Sequence, residues 1–147
     1  QHAIMKGVIT VFGGGQCRPN LHIKDMCDVY KLLLKVPKHK IAGEIFNVGK
    51  QNRTVREIAD MIASIIPYYG FPIPFVEVKE YQDNRSYHIN SDKIKRVLGY
   101  EPSRTIEDAI RDICIAFKSG MWKDGLTNPI YTNVKQYVEA CGMGNAS

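Results

Sequence analysis

Two arginines in polar loops are the residues of this sequence best suited to bind an anion. Arg18 follows the glycine run Gly13–Gly15, and Arg85 stands in the loop Gln82–Ser86. The planar guanidinium of arginine donates two parallel charge-assisted hydrogen bonds to a phosphate. If the fold brings the two loops together, the arginines can clamp a diphosphate. The competing interpretations are a mobile turn at the glycines and a solvated loop around Arg85.

The motifs of a nicotinamide-dependent enzyme are incomplete in this chain. A dinucleotide-binding loop needs Gly-x-Gly-x-x-Gly between a strand and a helix, and Arg18 stands where the third glycine would be. Tyr131 and Lys135 match Tyr-x-x-x-Lys, the pattern of a catalytic tyrosine assisted by a lysine. That pair follows every predicted strand, so we interpret it as a chance match. We therefore predict no catalytic and no cofactor-binding residue here.

The cysteines and histidines do not indicate a metal site. The four cysteines are Cys17, Cys27, Cys114 and Cys141. None forms a Cys-x-x-Cys pair, and no histidine stands near them at zinc-finger spacing. We expect free thiols in a reducing cytoplasm, and structural roles for His22 and His88.

Short strands that alternate with helices must position these candidate residues. Strands are predicted at Val8–Phe12, Glu44–Gly49 and Phe75–Val78. Helices are predicted at Ile23–Val36, from Thr54 to Pro67, at Lys93–Leu98 behind a Ser91–Asp92 cap, from Thr105 to Gly120, and in the tail at Asn133–Ala140. Thr54 and Glu57 form a capping box, and Asp25 places a negative charge near a helix N-terminus.

Length and composition favour one small globular domain. The chain has 147 residues, of which 44% are hydrophobic and 24% charged. The expected division is a main unit at 1–126 and a tail at 127–147. The N-terminal residues read as the last turn of a helix that ends at Gly7, which suggests a fragment of a longer protein. The net charge of +5 selects no partner class, and no apolar run could span a membrane.

Three blocks of sequence together resemble the extended short-chain dehydrogenase/reductase family of nucleotide-sugar epimerases and dehydratases. Val11–Met26 is similar to the family's run of aromatic, Gly-x-Gly, Gln and Arg before an apolar-His-Val-x-Asp stretch. Gly43–Gly49, followed by Thr54–Ile58, resembles its Phe-Asn-x-Gly strand and the next helix. Asp83–Pro102 resembles its Arg-containing loop and a helix that ends in Leu-Gly-aromatic-x-Pro.

The resemblance implies an α/β fold: a small mixed substrate-binding subdomain of a Rossmann-type enzyme whose Rossmann half, which would hold NAD(P), is absent. It assigns phosphate binding to Arg18 and Arg85, and the base pocket to Val11 and Phe12. Thr54 and Asn47 would lie near the same site. Partners would be a nucleotide-diphosphate sugar, the missing Rossmann half and, in the parent enzyme, a second subunit. The chain alone would bind no cofactor and be inactive.

Several alternatives remain open at this point. The nucleotide could carry uridine, thymidine, guanosine or cytidine, and the parent enzyme could epimerise the sugar or eliminate water from it. A non-catalytic interaction module is a second hypothesis. A small basic nucleic-acid-binding domain is a third, although basic residues are spread along the chain and adjoin acids, as at Lys79 and Glu80.

Overall fold

The computed structural model describes residues 1–81 and 85–122, and in addition residues 126, 128, 131 and 137. Over these residues the chain is a small mixed α/β structure, as predicted. In chain order the elements are α1 (His2–Met5), β1 (Val8–Phe12), β2 (Cys17–Asn20), α2 (Ile23–Leu33), β3 (Gln51–Thr54), α3 (Val55–Ile65), β4 (Phe75–Lys79), α4 (Asp92–Leu98) and α5 (Ile106–Lys118). Within this part of the chain, none of the helices has the length and apolar character needed to cross a membrane.

Some predictions fall on the rest of the chain. Residues 82–84 of the predicted polar loop lie outside the described residues. So does the predicted tail helix, apart from residue 137, and so does Lys135 of the Tyr-x-x-x-Lys match. These stay predictions.

The first sheet is a parallel pair. β1 lies beside β4, so that Val8 is opposite Phe75 and Phe12 is opposite Lys79. Both strands were predicted, because each is a β-rich run bounded by glycine or proline. Their carboxyl ends meet at one edge of the sheet, which is the edge where open α/β sheets bind ligands.

The second sheet is an antiparallel ribbon that the sequence pattern does not predict. β2 pairs with β3, and the register places Arg18 opposite Arg53 and Pro19 opposite Asn52. Each strand has only four residues, and most of them are residue types that do not favour β-strands. Pro19 has no backbone N–H to donate to the neighbouring strand. Pairing between distant segments, rather than local preference, creates this ribbon.

The strand predicted at Glu44–Gly49 is wrong for the described part of the chain. The segment contains no helix, turn or bend, but it belongs to neither sheet. Residues that favour β-structure only make a segment suitable for a strand. The strand forms where a neighbouring strand pairs with its backbone N–H and C=O groups.

Helix boundaries follow the local chemistry with two corrections. α3 and α5 begin at capping boxes, Thr54 with Glu57 and Thr105 with Asp108. α2 was predicted to reach Val36 but ends at Leu33. The ring of Pro37 disfavours a helical conformation at the residue before it, so the helix stops early.

The second correction concerns the start of α4. Ser91 precedes the helix but does not cap it through its side chain. Its hydroxyl donates to the carbonyl of Gly49 (3.1 Å) and accepts from the N–H of Gly49 (2.8 Å). The side chain of Asn90 instead accepts the N–H of Asp92 at 2.7 Å. Ser91 therefore anchors the 44–49 segment to the α4 region.

The main core lies between α3 and α5. Its buried members are Ala3, Ile66, Ile110 and Cys114, and Ile9 of β1 packs against them. Apolar burial of this kind stabilises the fold at about 25 cal/mol per Å² of surface removed from water.

A buried carboxylate joins α2 to the loop before α5. Asp25 is 1% exposed, and its oxygens accept from the backbone N–H (2.9 Å) and the guanidinium (2.6 Å) of Arg104. The same guanidinium reaches Asp28 at 2.8 Å, and the hydroxyl of Tyr100 donates to the carbonyl of Asp25 at 2.8 Å. Asp25 lies in the first turn of α2, as predicted, but its side chain serves a long-range contact.

Candidate anion-binding site

The glycine loop after β1 is held by one glutamine. Gly13 and Gly14 have φ of 76° and 108°, a region that favours glycine. The side chain of Gln16 accepts the N–H of Gly14 (2.7 Å) and donates to the carbonyl of Phe12 (2.6 Å). The loop is therefore a braced turn, and not the mobile turn that was its alternative interpretation.

Carbonyl groups of this loop accept hydrogen bonds from the first N–H groups of α3. The N–H of Val55 donates to the carbonyl of Gln16 (3.1 Å), and that of Arg56 to the carbonyl of Gly14 (3.0 Å). The N–H of Glu57 donates to the hydroxyl of Thr54 (3.1 Å). Phosphates bind at helix N-termini through unpaired N–H groups, and here the chain itself uses them. The loop does not fit the pyrophosphate of a dinucleotide.

The segment after residue 84 lies along the outer edge of β2. The N–H of Cys17 donates to the hydroxyl of Ser86 (3.0 Å), and the N–H of Tyr87 donates to the carbonyl of Cys17 (3.1 Å). Further on, the side chain of Asn52 exchanges two hydrogen bonds with the backbone of Ile89, both at 3.1 Å. These bonds fix the Arg85 segment beside Arg18.

Arg18 is held in one orientation by its neighbours. Its Nη1 donates to the carbonyls of Cys17 (2.9 Å) and Arg85 (2.6 Å). Its guanidinium carbon lies 5.3 Å from the centre of the Tyr87 ring, within the range of a cation–π interaction. A guanidinium that is fixed before the ligand arrives loses less conformational entropy on binding.

Arg18 differs in its charge environment from four other arginines of the described chain. Four arginines each form an ion pair with a carboxylate: Arg53, Arg56, Arg104 and Arg111. Among the described residues no carboxylate pairs with Arg18, although its side chain is only partly exposed. A partly buried cation without a counter-charge favours an anionic ligand.

Arg53 and Tyr87 belong to this site and were not predicted. Arg53 lies directly opposite Arg18 on the ribbon, so both side chains share one face. Its Nη1 is 3.3 Å from Glu57, which neutralises it only in part. Like charges opposite each other destabilise a ribbon, and a bound anion would relieve the repulsion. Only the β2–β3 register reveals Arg53, because the residue itself has no distinctive sequence context.

The two residues predicted for a base pocket have different surroundings. Val11 is 1% exposed, so its side chain belongs to the interior. Phe12 is half exposed at the carboxyl end of β1 and forms an edge-to-face pair with Tyr81, with ring centres 5.9 Å apart. An exposed aromatic pair at this edge is suited to stack on a planar ring.

Neither Thr54 nor Asn47 forms a hydrogen bond with Arg18 in the described part of the chain. The hydroxyl of Thr54 is engaged with Glu57, whose carboxylate also accepts the Thr54 N–H at 2.7 Å. These bonds, with help from Arg53, lower the pKa of Glu57 below its ordinary value. Asn47 is exposed in the 44–49 segment and makes no hydrogen bond with the described residues.

The capping role of Thr54 gives a direct prediction. Thr54→Ala is expected to lower the free energy of unfolding by about 1 kcal/mol, because the first turn of α3 loses its cap. Thr54→Ser keeps the hydroxyl and should retain most of the stability. Urea denaturation of the three proteins measures the difference. A substitution by alanine with no effect on stability would contradict this role.

The buried histidine and the buried cysteine of the described chain lie in structural surroundings. His22 is buried, its Nδ1 accepts the N–H of Lys24 (3.1 Å), and its Nε2 lies 3.4 Å from Asp112. This is the satisfied structural histidine that was predicted. Cys114 is buried and free, and burial raises the pKa of its thiol. No cluster of metal-binding side chains occurs within the described ranges.

The sequence relatives of this chain include dTDP-glucose 4,6-dehydratases. The chain is 32% identical over 119 residues to a dTDP-glucose 4,6-dehydratase of Shigella flexneri, a match of 75% of this chain and 32% of that protein. It is 29% identical over 140 residues to dTDP-glucose 4,6-dehydratase 1 of Escherichia coli, which covers 88% of this chain and 38% of the relative. The chain therefore spans about a third of the length of these relatives. No family model matches the sequence.

Solved structures share the fold. A dTDP-glucose 4,6-dehydratase of Bacillus anthracis in complex with NAD aligns with a TM-score of 0.63 and 23% identity, over 82% of this chain and 38% of that one. A UDP-glucuronic acid 4-epimerase of Bacillus cereus aligns with a TM-score of 0.66 and 20% identity, over 80% and 37%. An L-threonine dehydrogenase of Phytophthora infestans aligns equally well, at 0.66 and 14% identity over 81% and 39%. The fold is therefore that of the C-terminal portion of Rossmann-type enzymes, and it does not by itself fix a substrate.

Proposed function

We propose that this chain binds the nucleotide diphosphate of the substrate in an NAD-dependent nucleotide-sugar epimerase or 4,6-dehydratase. The proposal starts from its homology to members of the extended short-chain dehydrogenase/reductase family. The chain would act as the C-terminal, substrate-binding portion of such an enzyme. A Rossmann-type portion would supply the cofactor site and the acid and base groups. Sequence relatives of the chain include dTDP-glucose 4,6-dehydratases, which favours a nucleotide sugar over the amino-acid substrate of the threonine dehydrogenases that share the fold.

One observation carries the proposal: a pre-oriented Arg18 that pairs with no carboxylate of the described chain. Arg53 stands opposite it, and the Arg85 segment lies against it. Two arginines on one face, with a third on the adjacent segment, match the spread negative charge of a diphosphate. The Phe12–Tyr81 pair offers an aromatic surface for a base.

The described residues do not fit a nicotinamide dinucleotide. The glycine loop lacks the third glycine, and the first N–H groups of α3 bond to carbonyls of that loop. NAD(P) would be held by the Rossmann-type portion, where it would supply hydride transfer. In this chain the residues bind and orient the diphosphate only.

An apolar hollow of about 450 Å³ supports the idea of a second portion. Its walls come from α1, β1, α3 and α5 and include Ile9, Ile62 and Ile113. An open apolar surface of this kind in a small domain marks a contact with another protein part.

The proposal is tested by calorimetric titration of the chain with dTDP, UDP, GDP and CDP, with the four nucleoside monophosphates as controls. Diphosphates are expected to bind more tightly than monophosphates, because the second phosphate engages a second arginine. The ranking of the four bases then identifies the nucleotide. Equal affinity for mono- and diphosphates, or preference for random DNA, would count against the proposal.

The chain by itself is expected to be catalytically inactive. We predict no keto-sugar product and no reduced nicotinamide when the chain is incubated with NAD and dTDP-glucose or UDP-glucose. The reason is the lack of a dinucleotide loop and of a catalytic Tyr-x-x-x-Lys beside it in these 147 residues. Mass spectrometry of the sugar nucleotides measures the outcome, and turnover above the protein-free control would disprove the claim.

A further inference from the structure

The carboxylate of Glu57 contacts the helix cap of α3 with one oxygen and Arg53 with the other. Its Oε2 accepts hydrogen bonds from the backbone N–H (2.7 Å) and the hydroxyl (2.9 Å) of Thr54. Its Oε1 lies 3.3 Å from Nη1 of Arg53. The capping box therefore fixes a negative charge beside one of the cations of the candidate anion-binding site.

The contact with Arg53 is the weaker of the two. A separation of 3.3 Å is long for a charge-assisted hydrogen bond, which usually spans about 2.7–2.9 Å. The side chains of Arg53 and Glu57 are 43% and 48% exposed, so water screens the ion pair. Exposed pairs of this kind change an equilibrium constant by at most about fivefold. Arg53 can therefore leave Glu57 easily, while the bonds to Thr54 keep the carboxylate in place.

The partner that Arg53 would take instead is a phosphate bound beside Arg18. The two arginines are directly opposite each other on the β2–β3 ribbon, where Cβ atoms are about 4.5–5.5 Å apart. Arg18 is already oriented by the carbonyls of Cys17 and Arg85. Two arginines that start this close on one face can each bind one of two linked phosphates.

Glu57 and a phosphate compete for the same guanidinium. The planar fork of arginine binds carboxylates and phosphates through the same kind of charge-assisted hydrogen bond. Because Glu57 is held by Thr54, it stays within reach of Arg53 when a ligand arrives and when the ligand leaves. Glu57 is therefore positioned to act as an internal competitor of the ligand.

We propose that Glu57 holds Arg53 before a ligand binds, and that a diphosphate releases Arg53, which then binds the phosphate next to the one on Arg18. This inference rests on the proposed function, because it states how the diphosphate enters and leaves the site. An epimerase or dehydratase alters only the sugar, so substrate and product carry the same diphosphate. A competing carboxylate limits the affinity for that shared group and helps the product to leave, a step that limits many enzymes.

The cap of α5 provides a matched control. Oδ2 of Asp108 accepts from the N–H (2.9 Å) and the hydroxyl (3.1 Å) of Thr105, and Oδ1 pairs with Arg111. The arrangement repeats that of Thr54, Glu57 and Arg53, but Arg111 belongs to α5 and not to the ribbon that carries Arg18. Asp108→Asn therefore removes the same charge from the same kind of cap elsewhere in the chain.

The test is calorimetric titration of the 147-residue chain with inorganic pyrophosphate and with dTDP. Glu57→Gln retains a side chain that suits a capping box but removes the charge that holds Arg53. We expect Kd for both ligands to fall by roughly three- to fivefold, the share of an exposed ion pair, and Asp108→Asn to change neither. Unchanged affinity in Glu57→Gln, or equal effects of the two variants, would overturn the proposal.

A double-mutant cycle separates the release of Arg53 from simple charge repulsion. Arg53→Gln should weaken the binding of pyrophosphate, because one of the two phosphate contacts is lost. In that background Glu57→Gln should lower Kd by less than about twofold, since no guanidinium remains to be released. A gain of equal size in both backgrounds would show that Glu57 only repels anions and would refute the exchange.

The side-chain Nε–H signal of Arg53 in heteronuclear NMR spectra reports the exchange directly. Pyrophosphate should shift this signal and leave that of Arg111 in place, and an unshifted Arg53 signal would contradict the proposal. Nucleoside diphosphates that bind no more tightly than pyrophosphate would refute the proposed function and retain the role of Glu57. Tight binding of dTDP that does not respond to Glu57→Gln would refute this role and retain the function.

Discussion

Replacing Asp25 with alanine is expected to lower the free energy of unfolding by about 3 kcal/mol. Asp25 is almost fully buried, and Arg104 is its partner through both the backbone N–H and the guanidinium. Removal of the carboxylate leaves a partly buried N–H without an acceptor and a partly buried cation with only Asp28 to balance it. Both changes weaken the contact between α2 and the loop that leads into α5.

The measurement is urea denaturation, in which the midpoint should fall while the m-value stays constant. Asp28→Asn is the matched control, because Asp28 also pairs with Arg104 but is substantially exposed. Surface ion pairs contribute at most about 1 kcal/mol, so the control should lose much less stability. Similar losses for the two variants would show that burial does not set the effect. Asp25→Asn, which removes the charge alone, should fall between them.

The sequence predicts those parts of the fold that local interactions determine. The capping boxes at Thr54 and Thr105 and the parallel strands β1 and β4 follow from side chains within a few residues of each other. The sequence also places Arg18 correctly between β1 and α2. Its prediction of a loop there is wrong, because Arg18 lies within strand β2.

Long-range pairing determines what the sequence does not predict. β2 and β3 are polar, contain Pro19, and form only because residues more than thirty positions apart meet. Arg53 becomes part of the site through this register, and Tyr87 through the path of the 85–89 segment. Asp25 likewise acts on Arg104, 79 residues away, where the local pattern indicates only a helix N-terminus.

The error at Glu44–Gly49 has the opposite cause. The local pattern favours a strand, and the described chain offers it no edge. Such a conflict between local preference and observed structure is expected where a segment completes its interactions with another part of a protein.

Replacing Arg18 with alanine is expected to weaken the binding of a nucleoside diphosphate by about 1.5–3 kcal/mol, which is roughly a tenfold to 150-fold rise in Kd. Arg18 is pre-oriented by two carbonyls and by the ring of Tyr87, and it pairs with no carboxylate of the described chain. Loss of the guanidinium therefore removes charge-assisted bonds without releasing a competing acid. Arg18→Lys keeps the charge but not the planar fork, so its affinity should be intermediate.

Titration calorimetry with dTDP and UDP measures these affinities in the chain. Arg96→Ala is the matched control, because Arg96 is an exposed arginine on α4 without an ion pair to the described residues. It changes the net charge by the same amount and should leave Kd unchanged. If both variants weaken binding equally, the ligand senses overall charge rather than a site. If neither does, the diphosphate does not bind at Arg18, and the anion site must be sought among other residues.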